Sequence, residues 1–157
     1  MKSFSIGLLS IGLMLISILS CKDTHECPLC FSPPQELMLK ILDKESSEDL
    51  IFNGTYKVDE ISIIYLRGQH EETIEIEIIT DEEKERAFIV SHEIAWKSLE
   101  GFKNFKLHLS PVVSHDMYLN VVSKSDECCT YHEYVDFEID EEIVEFDPAD
   151  YTYNLQK

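Results

Sequence analysis

Positive charge is scarce in this chain. Lys and Arg number 13 against 31 Asp and Glu in 157 residues, a formal net charge of −18. A surface so negative repels phosphate backbones, which argues against a nucleic-acid partner. Anionic lipid surfaces repel it too, unless divalent cations bridge the two. Glycine is also scarce, with five residues, and no G-x-S-x-G elbow is present to lift a nucleophilic serine onto a sharp turn. No long segment carries the 3.6-residue periodicity of an amphipathic helix, and no internal repeat points to a solenoid. Long apolar runs are limited to residues 4–19 (FSIGLLSIGLMLISIL). A helix of that length spans about 24 Å, short of the roughly 30 Å hydrocarbon core of a bilayer.

That run follows Met1-Lys2, a short positive start, so residues 1–20 read as an export signal rather than a spanning helix. Its end carries chemistry. Ile18-Leu19-Ser20-Cys21 resembles a lipobox, with an aliphatic residue three places before the cysteine and a small residue directly before it. The resemblance implies that the Cys21 thiol accepts a diacylglyceryl group and that cleavage after Ser20 leaves Cys21 as the first mature residue. One acyl chain binds membranes with only about 10⁴ M⁻¹, whereas two or three anchor a protein almost permanently. Lys22-Asp23-Thr24-His25-Glu26 then resembles the export signal of Bacteroidota outer-membrane lipoproteins, a Lys followed by acids. Thr24 interrupts the acidic pair of the usual form. The implied location is the outer membrane, with the lipid as the contact to it.

The remainder divides into a tether, residues 21–35, and one domain, residues 36–157. The tether holds three Pro and few aliphatics, with Pro33-Pro34 stiffening its end. From Glu36 onward the pattern is period two. Leu37, Leu39 and Ile41 alternate with Met38, Lys40 and Leu42; Ile74, Ile76 and Ile78 alternate with Glu75, Glu77 and Ile79. Further short strands are expected at 61–66, 87–90, 105–109, 118–122, 135–139 and 143–146, and residues 91–99 have the option of a helical turn. Turns are expected at residues 44–49, at Asn53-Gly54, at residues 67–72 and at residues 81–85. Eight or nine short strands at this spacing indicate an all-β antiparallel sandwich, immunoglobulin-like or transthyretin-like, with an open barrel as the alternative.

With Cys21 assigned to the lipid, Cys27, Cys30, Cys128 and Cys129 remain. An even count in an exported chain favours disulfides. A vicinal 128–129 bridge distorts its own peptide unit, and a local 27–30 bridge constrains the unfolded chain by about 2 kcal/mol. A bridge from 30 to 128 closes a loop of about 99 residues and contributes about 4.7 kcal/mol. One or two long bridges are therefore expected, stapling the tether to a late strand. Zinc is the competing use of these thiols, with His25 or His132 as further ligands, but an oxidising envelope disfavours free thiolates. A redox role for Cys27-Pro-Leu-Cys30 lacks the surrounding βαβ unit.

Other groups have ordinary explanations beside their chemical ones. Ser91-His92-Glu93, His115-Asp116, Ser110 and Ser114 invite a triad reading, yet neighbours on a strand face opposite sides. Asp81-Glu82-Glu83 and Asp140-Glu141-Glu142 offer oxygens to calcium, but match no EF-hand loop and suit charged hairpin turns. Tyr131, Tyr134, Tyr151, Tyr153 and Trp96 could line a carbohydrate surface or simply pack. The chain thus reads as a non-enzymatic envelope lipoprotein without cofactor or metal, a binding module for a protein or glycan. The alternative is an accessory subunit of an outer-membrane complex such as a nutrient-uptake assembly.

Overall fold

The computed structural model describes residues 30–126 and 129–157. In chain order its strands begin with β1 (Cys30–Phe31), β2 (Leu37–Leu42), β3 (Ser62–Arg67), β4 (His70–Ile74), β5 (Glu77–Asp81) and β6 (Arg86–Ser91). A helix α1 (Glu93–Leu99) follows, then β7 (Asn104–Ser110), β8 (Val113–Ser125), β9 (Cys129–Ile139), β10 (Glu142–Ile143), β11 (Glu145–Asp147) and β12 (Thr152–Gln156). One sheet runs β1-β9-β8-β7-β3-β4, with β10 also on β9; the other runs β11-β12-β2-β6-β5. The two pack face to face as an all-β sandwich, as the alternation of the sequence indicates. Most pairings are antiparallel; β1 with β9 and β12 with β2 are parallel.

The core is the sum of the inward positions of both sheets. Leu37, Leu39, Ile41, Ala87 and Ile89 face Ile63, Tyr65, Leu107, Leu109, Met117, Leu119, Phe137 and Ile139, all buried. Burying an aliphatic side chain of this size contributes roughly 1.5–3 kcal/mol, so these rows dominate folding. The hairpin between β3 and β4 is tighter than residues 67–72 suggest. Arg67 pairs with His70, leaving Gly68-Gln69 as the loop, and Gly68 adopts φ +68, a conformation that glycine enters without steric cost.

Two segments that read as single strands are corners between sheets. Residues 74–79 split into the end of β4 in one sheet and the start of β5 in the other. Side chains satisfy the backbone at the crossing: Ser91 Oγ donates to Glu75 O at 2.8 Å, and Glu75 N donates to Glu93 Oε2 at 2.8 Å. Residues 143–146 split likewise between β10 and β11, with buried Val144 donating its N–H to Phe137 O at 3.0 Å. Two-sheet folds turn their corners by such strand switches.

Helix α1 protects an edge. Beyond Asn104–Tyr118, the last pair of β7 with β8, the β8 backbone has no strand neighbour on that side among the described residues. Buried Ser98 takes its place, accepting from Val121 N and donating to Leu119 O, both at 2.9 Å. A covered edge is closed to intermolecular pairing.

Candidate functional site

A bulge in β9 shapes the surface of most interest. Leu119 pairs with Phe137 and Asn120 with Asp136, but Val121 pairs with Tyr134. Val135 is therefore the extra residue, turned outward, and both Tyr134 and Phe137 lie on the inner side. Bulges re-aim side chains in this way. Beside them β12 contributes Tyr153 and β11 contributes Phe146, cross-strand partners of one another. Tyr151, at φ 57 in the turn before β12, completes the set.

The rings make a connected row. Tyr134 and Tyr153 lie 6.0 Å apart between centroids, Tyr153 and Phe146 5.1 Å, and Phe146 and Tyr151 6.3 Å. Phe137 stands edge-on to Tyr153 at 4.8 Å and 89°. The buried end of the row is fixed and the outer end is open: Phe146, Tyr151, Val135 and Ile143 are exposed, Ile143 by 81%. Beside Val135 and Ile143 is a shallow hollow of about 150 Å³, lined among others by Tyr134, Phe137, Val144 and Tyr153. Tyr134 donates its phenol hydrogen to Gln35 O at 2.6 Å. Burial first, then the charges of Tyr153 and Glu36, push its pKa well above the usual phenol value, and burial raises that of Tyr153. Both phenols stay neutral at physiological pH. The row offers ring faces, aliphatic groups and phenol oxygens, a set suited to apolar protein surface or to the face of a sugar.

An ion network on the outer face of the second sheet holds the Tyr151 turn. Lys40 is the one charged residue in the apolar run of β2 and is buried there. Its Nζ lies 3.2 Å from Asp150 and 3.7 Å from Asp147, and Arg86 pairs with the same Asp150 carboxylate. The hydrogen bond from Lys40 outweighs burial and, with the charges of Arg86 and Lys84, holds Asp150 below the usual carboxylate range. Asp150 immediately precedes Tyr151, so the network seats one end of the aromatic row. A cleft of about 650 Å³ opens beside it, lined among others by Lys40, Asp49, Arg86 and Asp147.

A depressed carboxylate pKa stabilises the fold above the unfolded-state value, and that stabilisation disappears as pH falls through the folded-state value. Asp150→Asn is therefore expected to cost ~2 kcal/mol at neutral pH. The difference from wild type should hold down to about pH 4 and vanish below it. Urea midpoints of both proteins against pH test this; a difference that persists at about pH 2.5 contradicts it.

The sequence-derived candidates are dispersed. Cys30 is bonded to Cys129, 99 residues apart, while Cys21, Cys27, Cys128 and His25 lie outside the described residues. This long bridge removes Cys30 from a local pair, Cys129 from a vicinal one, and both from zinc ligation, which needs thiolates. Among the described residues no group of three or more His, Cys, Asp or Glu is placed to hold a metal. The triad candidates are engaged separately. Ser91 and Glu93 serve the corner at Glu75, His92 pairs with Glu36 at 3.1 Å, and Ser110 Oγ accepts from Val113 N at 3.1 Å. His115 Nδ1 meets Asp140 at 2.7 Å rather than neighbouring Asp116. The acidic turns are ordinary hairpin turns: Asp81 Oδ1 accepts from Glu83 N and Lys84 N, both at 3.1 Å.

Of the aromatic candidates, Tyr134, Tyr151 and Tyr153 come together, whereas Trp96 joins Phe31 and His132 elsewhere. Phe137, Phe146, Lys40 and Asp150 join the site without a sequence pattern that marks them as a group. A lone Lys inside LMLKIL was the available signal for a buried ion pair, since lysine is rarely buried unless paired. No family model, no curated protein and no solved structure matches the chain.

Proposed function

We propose that this chain is an outer-membrane lipoprotein, held by lipid on Cys21, whose β-sandwich binds a partner without catalysing a reaction. The observation that carries the binding role is the exposed end of the aromatic row, Phe146 and Tyr151, with Val135 and Ile143 beside it. Single exposed apolar residues are ordinary, but a contiguous set marks an interaction surface. In a chain of net charge −18, this is surface that gains by leaving water. Aliphatic residues flanking the rings favour a protein partner, as in an accessory subunit, over a sugar. The anchor rests on Ile18-Leu19-Ser20-Cys21 and on Lys22-Asp23, and a structural disulfide is in keeping with an oxidising envelope.

Intact mass of protein purified from its native membrane tests the anchor. The expected mass is that of residues 21–157 plus acyl chains, rising on reduction by about four hydrogens, as two bridges require. A mature chain that starts elsewhere and carries no lipid sinks the anchor. For the binding role, a photo-crosslinking residue at position 143 should give a discrete adduct in intact envelopes. The same residue at position 112, exposed in the β7–β8 turn, should give none. No adduct at 143, or equal adducts at both, overturns the assignment of the aromatic row.

A further inference from the structure

A second set of exposed rings sits where the tether enters the domain. Phe31 is 61% exposed and Trp96, the single tryptophan of the chain, 39%. They stack at 6.1 Å and 20°, and His132 meets both edge-on at 5.8 Å. Phe31 directly follows Cys30, whose disulfide to Cys129 and pairing with β9 fix it to the sheet. Covalent geometry then limits how far these rings can lie from Cys21. Cys30 lies nine positions after Cys21, a reach of about 32 Å at full extension. Were β1 not stapled, the first fixed strand would start at Leu37 and the reach would be about 58 Å. The staple halves the distance and presents two aromatic rings at the point of attachment.

We infer that the Phe31–Trp96 stack is a membrane-contact site, resting on the interfacial zone of the bilayer that holds the Cys21 lipid. This rests on the anchor proposed above. The ring chemistry fits: Trp is favoured at the membrane–water interface, where an apolar body meets a polar rim. Two rings alone bind a bilayer weakly. Tethering makes the contact intramolecular, which raises its effective concentration without any new interaction. The contact is apolar rather than electrostatic, because the acidic domain gains nothing from anionic lipid. It also sets the orientation of the domain. Ile143, at the pair with Glu138, lies roughly 20 Å along β9 from His132, so the exposed end of the aromatic row is separate from the two rings and open to a partner.

The single tryptophan provides the test. Full-length lipidated protein from native membrane is reconstituted into phosphatidylcholine vesicles with and without brominated acyl chains, which quench tryptophan on contact. Trp96 emission is expected to shift to the blue on reconstitution and to fall in the brominated vesicles. In W96F/V112W, the tryptophan moves to the turn before β8, about 35 Å along that strand from Ser123, the partner of His132, and its emission should not respond. Acyl chains in the mass with no quenching of Trp96, or equal quenching at positions 96 and 112, overturns the contact alone. A mass without acyl chains overturns the anchor and the contact together.

Discussion

Full reduction and alkylation of the folded chain is expected to lower its unfolding free energy by about 4–5 kcal/mol, read as the shift in urea midpoint. The Cys30–Cys129 bridge closes a loop of 99 residues, and the loss of chain entropy on closing about 100 residues corresponds to about 4.7 kcal/mol at 25 °C. Domains of this size are stable by about 5–15 kcal/mol in total, so the bridge supplies a large share. Replacing Cys30 and Cys129 alone by Ser should cost far less than full reduction. A bridge between Cys27 and Cys128 would close nearly the same loop, and one closure leaves little entropy for the second to remove. The pair of measurements thus separates one bridge from two. Loss of the staple has a local consequence also. The β1–β9 pairing covers only Cys30–Cys129 and Phe31–Thr130, too little to hold without the covalent link, so Phe31 should leave Trp96 and the tryptophan emission should move to the red. Equal urea midpoints for oxidised and reduced protein would contradict the estimate.

The legible parts of this fold are those where one strand stays in one sheet. Leu37–Leu42, Ser62–Arg67 and Asn104–Ser110 each present an inward row that alternation reveals. The corners at 74–79 and 143–146 were hidden for a specific reason. A strand that passes from one sheet of a sandwich to the other keeps its apolar side toward the same core, so Ile74, Ile76 and Ile78 stay in phase through the break. Period-two patterning reports inside against outside, and both sheets share one inside. The bulge at Val135 was hidden by the opposite effect. The series Val135, Phe137 and Ile139 alternates without a flaw, yet the register slips between Tyr134 and Asp136 and leaves Val135 in solvent. Strand β12 has a weak sequence signal because only Tyr153 and Leu155 mark its inner face, and its parallel pairing with β2 is a long-range choice that no local signal carries. The aromatic row depends on all three of these features, so Tyr134, Tyr151 and Tyr153 are visible in the sequence and their grouping with Phe137 and Phe146 is not. The disulfide was the reverse case. Cysteine arithmetic pointed to a long bridge, and the register Cys30–Cys129 chose the partner.

Asp49→Ala is expected to cost about 3–5 kcal/mol, with an unchanged denaturant slope. Asp49 is 5% exposed, and its two oxygens serve three backbone donors. Oδ1 accepts from Ile51 N and Phe52 N, and Oδ2 from Ala87 N, all at 2.9 Å. The last of these has a topological role. Strand β2 pairs with β6 only from Leu37–Ser91 to Leu39–Ile89, and beyond that point the Asp49 carboxylate is the acceptor for β6. The side chain thus continues the sheet where the strand has diverged, while folding residues 49–52 into a turn that buries Ile51. Removal leaves two or three buried N–H groups without an acceptor, at roughly 1–3 kcal/mol each. Asp49→Asn keeps one oxygen but turns an NH2 group toward a donor, so its cost should fall between wild type and Ala. Asp81 makes the same local turn, accepting from Glu83 N and Lys84 N at 3.1 Å, in an exposed setting. Water can replace it there, and Asp81→Ala should cost less than about 1 kcal/mol. If the two alanine variants lose equal stability, burial of the unpaired donors is not what makes Asp49 matter.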